Sequence, residues 1–318
     1  MDDRISLPSP EEVADLRLPE TAREVVGVYD RRVGDRPRYL WKWLYEVFPR
    51  YRLSSVPDRH SGTVREGKLL LTVYYTLLDD LADLHGDRAT FLEARKLALP
   101  RARVDDTAGV DTDYLALARL VWEAVEETLG AAPRADEFES TFQFDLEQVL
   151  NAMHYGMLVN ECPAAATETG TATYSEHNMA QFSYADLDIM FSPGFSTADL
   201  RPLREVVWTA QRLARIANWV ATWEREVGEG DPTSGVVVHA LQEGVVDLAE
   251  LEDPAVSGDV LVDRIREAGV ERHFLEEWDR LYDRLRERSH DTESVDLGAY
   301  VAGMDEMRQL YLDNRGRI

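Results

Sequence analysis

Residues 68–84 read KLLLTVYYTLLDDLADL, an apolar run that ends in three aspartates. Its periodicity predicts a helix over Lys68–Leu84, stopped at His85-Gly86 because glycine suits a helix C-terminus. Helix-period segments lie on both sides: Ala22–Val33, the aromatic-rich Tyr39–Tyr51, Phe91–Leu97, Asp113–Leu129, Ala135–Val159, Tyr174–Phe191, Ala198–Val227, Val236–Glu243, Val246–Glu250, Val260–Ala268, Glu271–Ser289 and Leu297–Asn314. Strand alternation is nearly absent. The loop signals are a basic stretch with SGTVREG (61–67), CPAAATETGTAT (162–173), SPGFS (192–196), GEGDPTSG (228–235) and DPAVSGD (253–259). None is long enough to link two domains, and no repeat or low-complexity tract interrupts the chain. The expected architecture is all-α: one domain of about ten helices over 19–318 around a central apolar cavity, behind a polar leader at 1–18.

The 318 residues, 44% hydrophobic and 9% aromatic, suffice for a large core and exclude disorder as the default. A single cysteine, Cys162, excludes an internal disulfide framework and a four-thiolate metal site, which points to an intracellular protein. No stretch approaches the roughly 20 apolar residues of a membrane helix. The opening MDDRISLPSPEE lacks the blocks of a signal peptide, so the expected location is cytoplasmic. Sixty acidic residues against 35 basic ones leave a net charge of −25, and only Lys42, Lys68 and Lys96 are lysines. Such a chain repels nucleic acid and anionic lipid. The composition reads as halophilic adaptation, since molar salt shortens the Debye length to about 3 Å and screens self-repulsion.

Two acidic motifs carry chemistry. Asp79 and Asp83 stand four residues apart, on one helix face about one turn from each other, where hard divalent cations can be held. Asp80 points more to the side. Carboxylates that continue an inward-facing stripe, after Thr72 and Tyr75, are costly unless a cation compensates them. The second motif is Asn218, Thr222 and Glu226, an amide, a hydroxyl and a carboxylate at four-residue spacing. With only five asparagines in the chain, this pattern is rarer by chance than the first. Three mixed oxygen donors can chelate one magnesium ion.

DDLAD at 79–83 followed by NWVATWERE at 218–226 resembles the paired metal motifs of class I terpene synthases, the ionisation-initiated cyclases of linear isoprenoid diphosphates. Order, spacing, helical pattern and length are similar over essentially the entire chain. The resemblance implies a lyase with three Mg2+ ions clamping the diphosphate of a C15 or C20 substrate, farnesyl or geranylgeranyl diphosphate. It implies that Asp79 and Asp83 hold two ions, with Asp80 beside them, and that Asn218, Thr222 and Glu226 hold the third. Arg225 matches the family's basic diphosphate-contacting position.

The family also carries a diphosphate-sensing arginine upstream of the second motif, in a helix that breaks near the cavity. Thr173–Met179 contains none, leaving His177 or Asn178 as substitute donors, or an ordinary helix start capped by Ser175. In place of the carboxy-terminal Arg-Tyr pair of many bacterial members stand Arg308, Tyr311 and Arg315. Candidate cavity liners are Tyr75, Thr72, Gln211, Ala214, Arg215 and Trp208 on the motif faces, with Phe144, Met179, Phe182, Tyr300 and Met304 as a further wall. Core packing is the competing account for each of these. His154, His177, His239 and His273 show no zinc-site spacing. The expected partner is the isoprenoid diphosphate, with neither nucleic acid nor an integral membrane segment, and a homodimer is compatible. A chain-elongating prenyltransferase, which repeats an aspartate-rich second motif, and a non-catalytic helical protein that binds a lipid or partner are the alternatives.

Overall fold

A computed structural model of the chain describes residues 8–253 and 255–317. Of the expected leader, residues 1–7 lie outside the described residues. Its remainder forms α1 (Pro10–Asp15), closed by a reciprocal Ser9–Glu12 capping box and anchored by buried Val13. Next come α2 (Glu20–Arg32), α3 (Arg38–Val47), a 3-10 turn at Phe48–Tyr51, and the long α4 (Asp58–Asp83). The next helices are α5 (Arg88–Ala94), α6 (Thr112–Gly130), α7 (Ala135–Glu161) and α8 (Glu168–Thr173). Beyond a 3-10 turn at Ser175–Met179 stand α9 (Gln181–Met190), α10 (Leu200–Glu229), α11 (Gly235–Gln242) and α12 (Leu248–Glu252). The chain finishes with α13 (Gly258–Glu267), α14 (Val270–Glu287) and α15 (Leu297–Asp313). Among the described residues there is no strand, and no helix is long and apolar enough to cross a membrane. The all-α expectation holds, with fifteen α-helices among the described residues where about ten were expected.

Helix α9 is the pivot of the packing. All ten of its residues are buried, with α4, α7 and α10 against it. A helix buried on every face needs its polar side chains satisfied from outside. Asp188 accepts from Lys68 Nζ at 2.8 Å and from the Leu53 amide at 2.9 Å, while Gln181 accepts from the Tyr300 hydroxyl at 3.3 Å. The two motif helices are thus held apart: α4 packs on α6, α7 and α9, and α10 on α9, α14 and α15.

Three segments depart from the sequence reading. The stretch CPAAATETGTAT, expected as a loop over 162–173, holds a 3-10 turn at Pro163–Ala165 and α8 at Glu168–Thr173, whose Thr167 cap accepts from the Gly170 amide. The SGTVREG stretch is not a loop; it lies inside α4, which begins at Asp58. A Cβ on Gly67 would stand 2.8 Å from Thr128 Cγ2 and 3.0 Å from Leu187 Cδ2, so this glycine serves close approach of α6 and α9 rather than a turn. The segment expected as one helix over Tyr174–Phe191 is broken at Ala180, a buried non-glycine residue at φ 53°. An L-residue there costs about 1–2 kcal/mol, which the surrounding packing must offset.

Candidate functional site

Both motifs sit in the last turns of long helices. Helix α4 ends at Asp83, where the Leu84 and His85 amides return to the Asp80 carbonyl and Gly86, at φ 58°, turns the chain. Helix α10 ends at Glu229, and Gly230 at φ 74° folds the Asp231 amide back onto the Glu226 carbonyl at 2.9 Å. Neither final turn carries a basic residue to answer the negative end of its helix dipole. The two ends share a cleft of about 460 Å³ lined by six carboxylates (Asp79, Asp83, Glu226, Glu229, Asp231, Glu252) and two guanidiniums, Arg36 and Arg225. That excess of negative charge is what a cation site needs and what an anion site without cations could not tolerate.

Neutral donors hold the α4 carboxylates in place. Asn178 Nδ2 donates to Asp79 Oδ1 at 2.9 Å, and Asn160 Nδ2 donates to Asp83 Oδ1 at 2.8 Å. Asp83 reaches the cleft, yet the crowded protein around it and then the charges of Asp79 and Asp231 raise its carboxyl well above the usual range. Burial and the Asp231 charge raise Glu226, whose Oε2 is buried without a hydrogen-bond partner. Burial is also the main cause for Asp231 itself. An orphaned carboxylate oxygen among repelling neighbours fits a divalent ion, so Asp79, Asp83, Glu226 and Asp231 are the residues able to hold one. Among the described residues no group of three or more His, Cys, Asp or Glu side chains is arranged to hold a metal ion.

The expected site residues fall in different places. Asp80 does not face the cleft; it is fully buried and accepts from Arg36 Nη2 at 2.6 Å and Nε at 2.9 Å, a counter-ion to a different group. Of the second motif only Glu226 lines the cleft. Thr222 is buried with its hydroxyl donating to the Asn218 backbone carbonyl at 2.9 Å, and Asn218 Oδ1 accepts from Arg215 Nη1 at 3.0 Å. Arg225 is at the rim, ion-paired with Glu229 at 2.8 Å. His177 meets Gln211 and the rings of Phe182 and Trp208, so Asn178 alone of the two substitute donors reaches an aspartate.

The proposed walls divide in the same way. Tyr75, Phe182, Tyr300 and Met304 are buried, whereas Trp208 at 50% and Phe144 at 57% exposure are on the surface, where neither can line an interior wall. Arg308 extends over Trp278 to Asp279 and Tyr311 packs edge-on against Trp43, so neither lines the cleft. His239 and His273, far apart in sequence, stack with ring centroids at 4.4 Å, an adjacency made by the packing of α11 on α14.

Sequence reasoning missed Asp231, Asn160 and Arg36. Asp231 carried a signal, since the Gly-Asp-Pro turn at 230–232 ends the helix about one turn after Glu226. Asn160 and Arg36 carried none, being brought in by α7 and by the loop after α2.

Raised carboxyl groups set the pH dependence of stability. Burial pushes Glu176 up to about 7 and Asp80 to about 6, each against the lowering effect of its arginine, and Asp186 rises for the same reason with Asp145 beside it. A carboxyl that holds its proton longer in the folded than in the unfolded chain lends stability at low pH, lost as pH rises through its folded value. The melting temperature is therefore expected to fall between about pH 5 and pH 8, measured by thermal denaturation at fixed ionic strength. A flat or rising profile would contradict this account.

No protein-family model matches the chain, and no curated protein matches it.

Proposed function

We propose that this protein is a magnesium-dependent class I terpene cyclase, which ionises a linear C15 or C20 isoprenoid diphosphate, cyclises the carbocation and releases diphosphate. The observation that carries this reading is the meeting of two carboxylate-bearing helix C-termini, remote in sequence, across one cleft with an orphaned Glu226 oxygen between like charges. Bound magnesium would supply the Lewis-acid neutralisation of the leaving diphosphate.

The chain's own residues do the rest. Asp79 and Asp83 hold cations from the α4 side, oriented by Asn178 and Asn160, while Glu226 and Asp231 hold them from the α10 side. Arg225 and Arg36, already in the cleft, are placed to donate charge-assisted hydrogen bonds to the leaving oxygens. The reading requires the prenyl chain to be taken up past Asp79 toward buried Tyr75, one turn earlier on α4. Aromatic faces such as Tyr75 and Phe182 stabilise a migrating positive charge without quenching it, and the packed interior excludes water.

The test is incubation with farnesyl and with geranylgeranyl diphosphate in high salt, with Mg2+ or with chelator. Cyclic hydrocarbon or alcohol with stoichiometric diphosphate release, abolished by chelator, is the expected result. A longer prenyl diphosphate would replace this reading by chain elongation. Absence of diphosphate release from either substrate would overturn it.

A further inference from the structure

Arg215 lies on α10 one turn before Asn218, and its guanidinium is held by neutral groups only. Nη1 donates to Asn218 Oδ1 at 3.0 Å, and Nη2 donates to Ser175 Oγ, in the 3-10 turn before Ala180, at 2.8 Å. The Cζ atom stands 5.2 Å from the Trp219 ring centroid, and Nε is buried without a partner. Among the described residues no carboxylate oxygen lies within ion-pair distance of it. Its charge nonetheless acts on Asp83 of α4, Glu226 of α10, Asp231 of the following loop and Glu176 of the 3-10 turn. It is thus a positive charge near the acids of the cleft, tethered to an amide and a hydroxyl beside the second motif.

We propose that Arg215 is the site's resident cation: without ligand it occupies Asn218 Oδ1, and when a divalent ion and a polyphosphate anion arrive it yields that oxygen and turns its guanidinium to the anion. The inference rests on the cation-bridged diphosphate reading above and adds to it an exchange of one cation for another. It explains how Asn218 can be a metal donor while its oxygen is engaged here, and how an acidic site without ligand stays folded. Arginine suits the second half of the exchange because its planar fork matches a phosphate with two parallel donors.

The experiment uses the full chain, with Mn2+, Mg2+ and inorganic pyrophosphate as probes and calorimetry as the readout. Hydrogen bonds to a charged group are worth about 1.5–3 kcal/mol, so effects of about tenfold or more are expected. In Arg215→Gln, Mn2+ alone should bind about tenfold more tightly, while pyrophosphate in the presence of Mg2+ should bind at least about tenfold more weakly. Arg215→Lys, which keeps the charge, should restrict both changes to a fewfold. Unchanged affinities in Arg215→Gln, or a parallel loss of both, would overturn the exchange.

Should that variant fail to fold, the Nε–Hε resonances of wild-type arginines supply the answer. One shielded signal should move on addition of Mg2+ and again with pyrophosphate; signals that stay in place would overturn the proposal. Wild-type protein that binds neither probe would sink the functional reading as well. Intact, Arg215-dependent binding without turnover of isoprenoids would sink that reading alone.

Discussion

Asp79→Ala is expected to lower diphosphate release by about a thousandfold, the upper range for removing one preorganised electrostatic group from a water-poor site. The carboxylate lies in the final turn of α4, is oriented by Asn178 and contributes nothing to the apolar core, so helix content and melting temperature should stay near wild type. Asn218→Ala is expected to act almost as strongly, because it removes a donor and frees Arg215 from its tether. The measurement is pyrophosphate release with geranylgeranyl and farnesyl diphosphate, with circular dichroism recorded on the same preparations. Turnover within tenfold of wild type in Asp79→Ala would remove α4 from the mechanism.

Gly303→Ala is expected to cost about 4 kcal/mol or more, at the far end of what single substitutions do. A Cβ at this position of α15 would stand 1.6 Å from the Arg50 carbonyl oxygen and 2.6 Å from its carbon. Both are backbone atoms of the Phe48–Tyr51 turn, so no rotamer change relieves the clash and α15 must move off the turn it packs on. Gly62→Ala is the control: within α4 and with nothing within 4 Å of its Cβ, it should gain about 1 kcal/mol from helix propensity. Urea denaturation of the pair tests the account, and a Gly303→Ala midpoint close to wild type would contradict it.

The helical elements and the chemistry-bearing residue types were readable because both depend on local pattern. Periodicity placed α6, α7, α10 and α15 to within a few residues, and glycine marked the end of α4 at Gly86. Where glycine misled, the two positions differ: Gly67 lets α6 and α9 come close, a tertiary use that no local signal separates from a turn, while Gly62 meets nothing and is simply carried by the helix. The break at Ala180 was hidden for a related reason, since alanine is a strong helix former and only surrounding packing holds it at positive φ.

The four-residue spacings by themselves determined that Asp79 and Asp83 share a face and that Asn218, Thr222 and Glu226 follow one line, because a helix repeats every 3.6 residues wherever it lies. Which of these atoms are free was decided by the tertiary structure alone. Packing turned Asp80 to Arg36 and brought Asp231, Asn160 and Arg36 to the same cleft. The reason is range: a helical repeat acts over one or two turns, whereas a carboxylate's partners and pKa depend on every charge within several ångströms, whatever part of the chain supplies it.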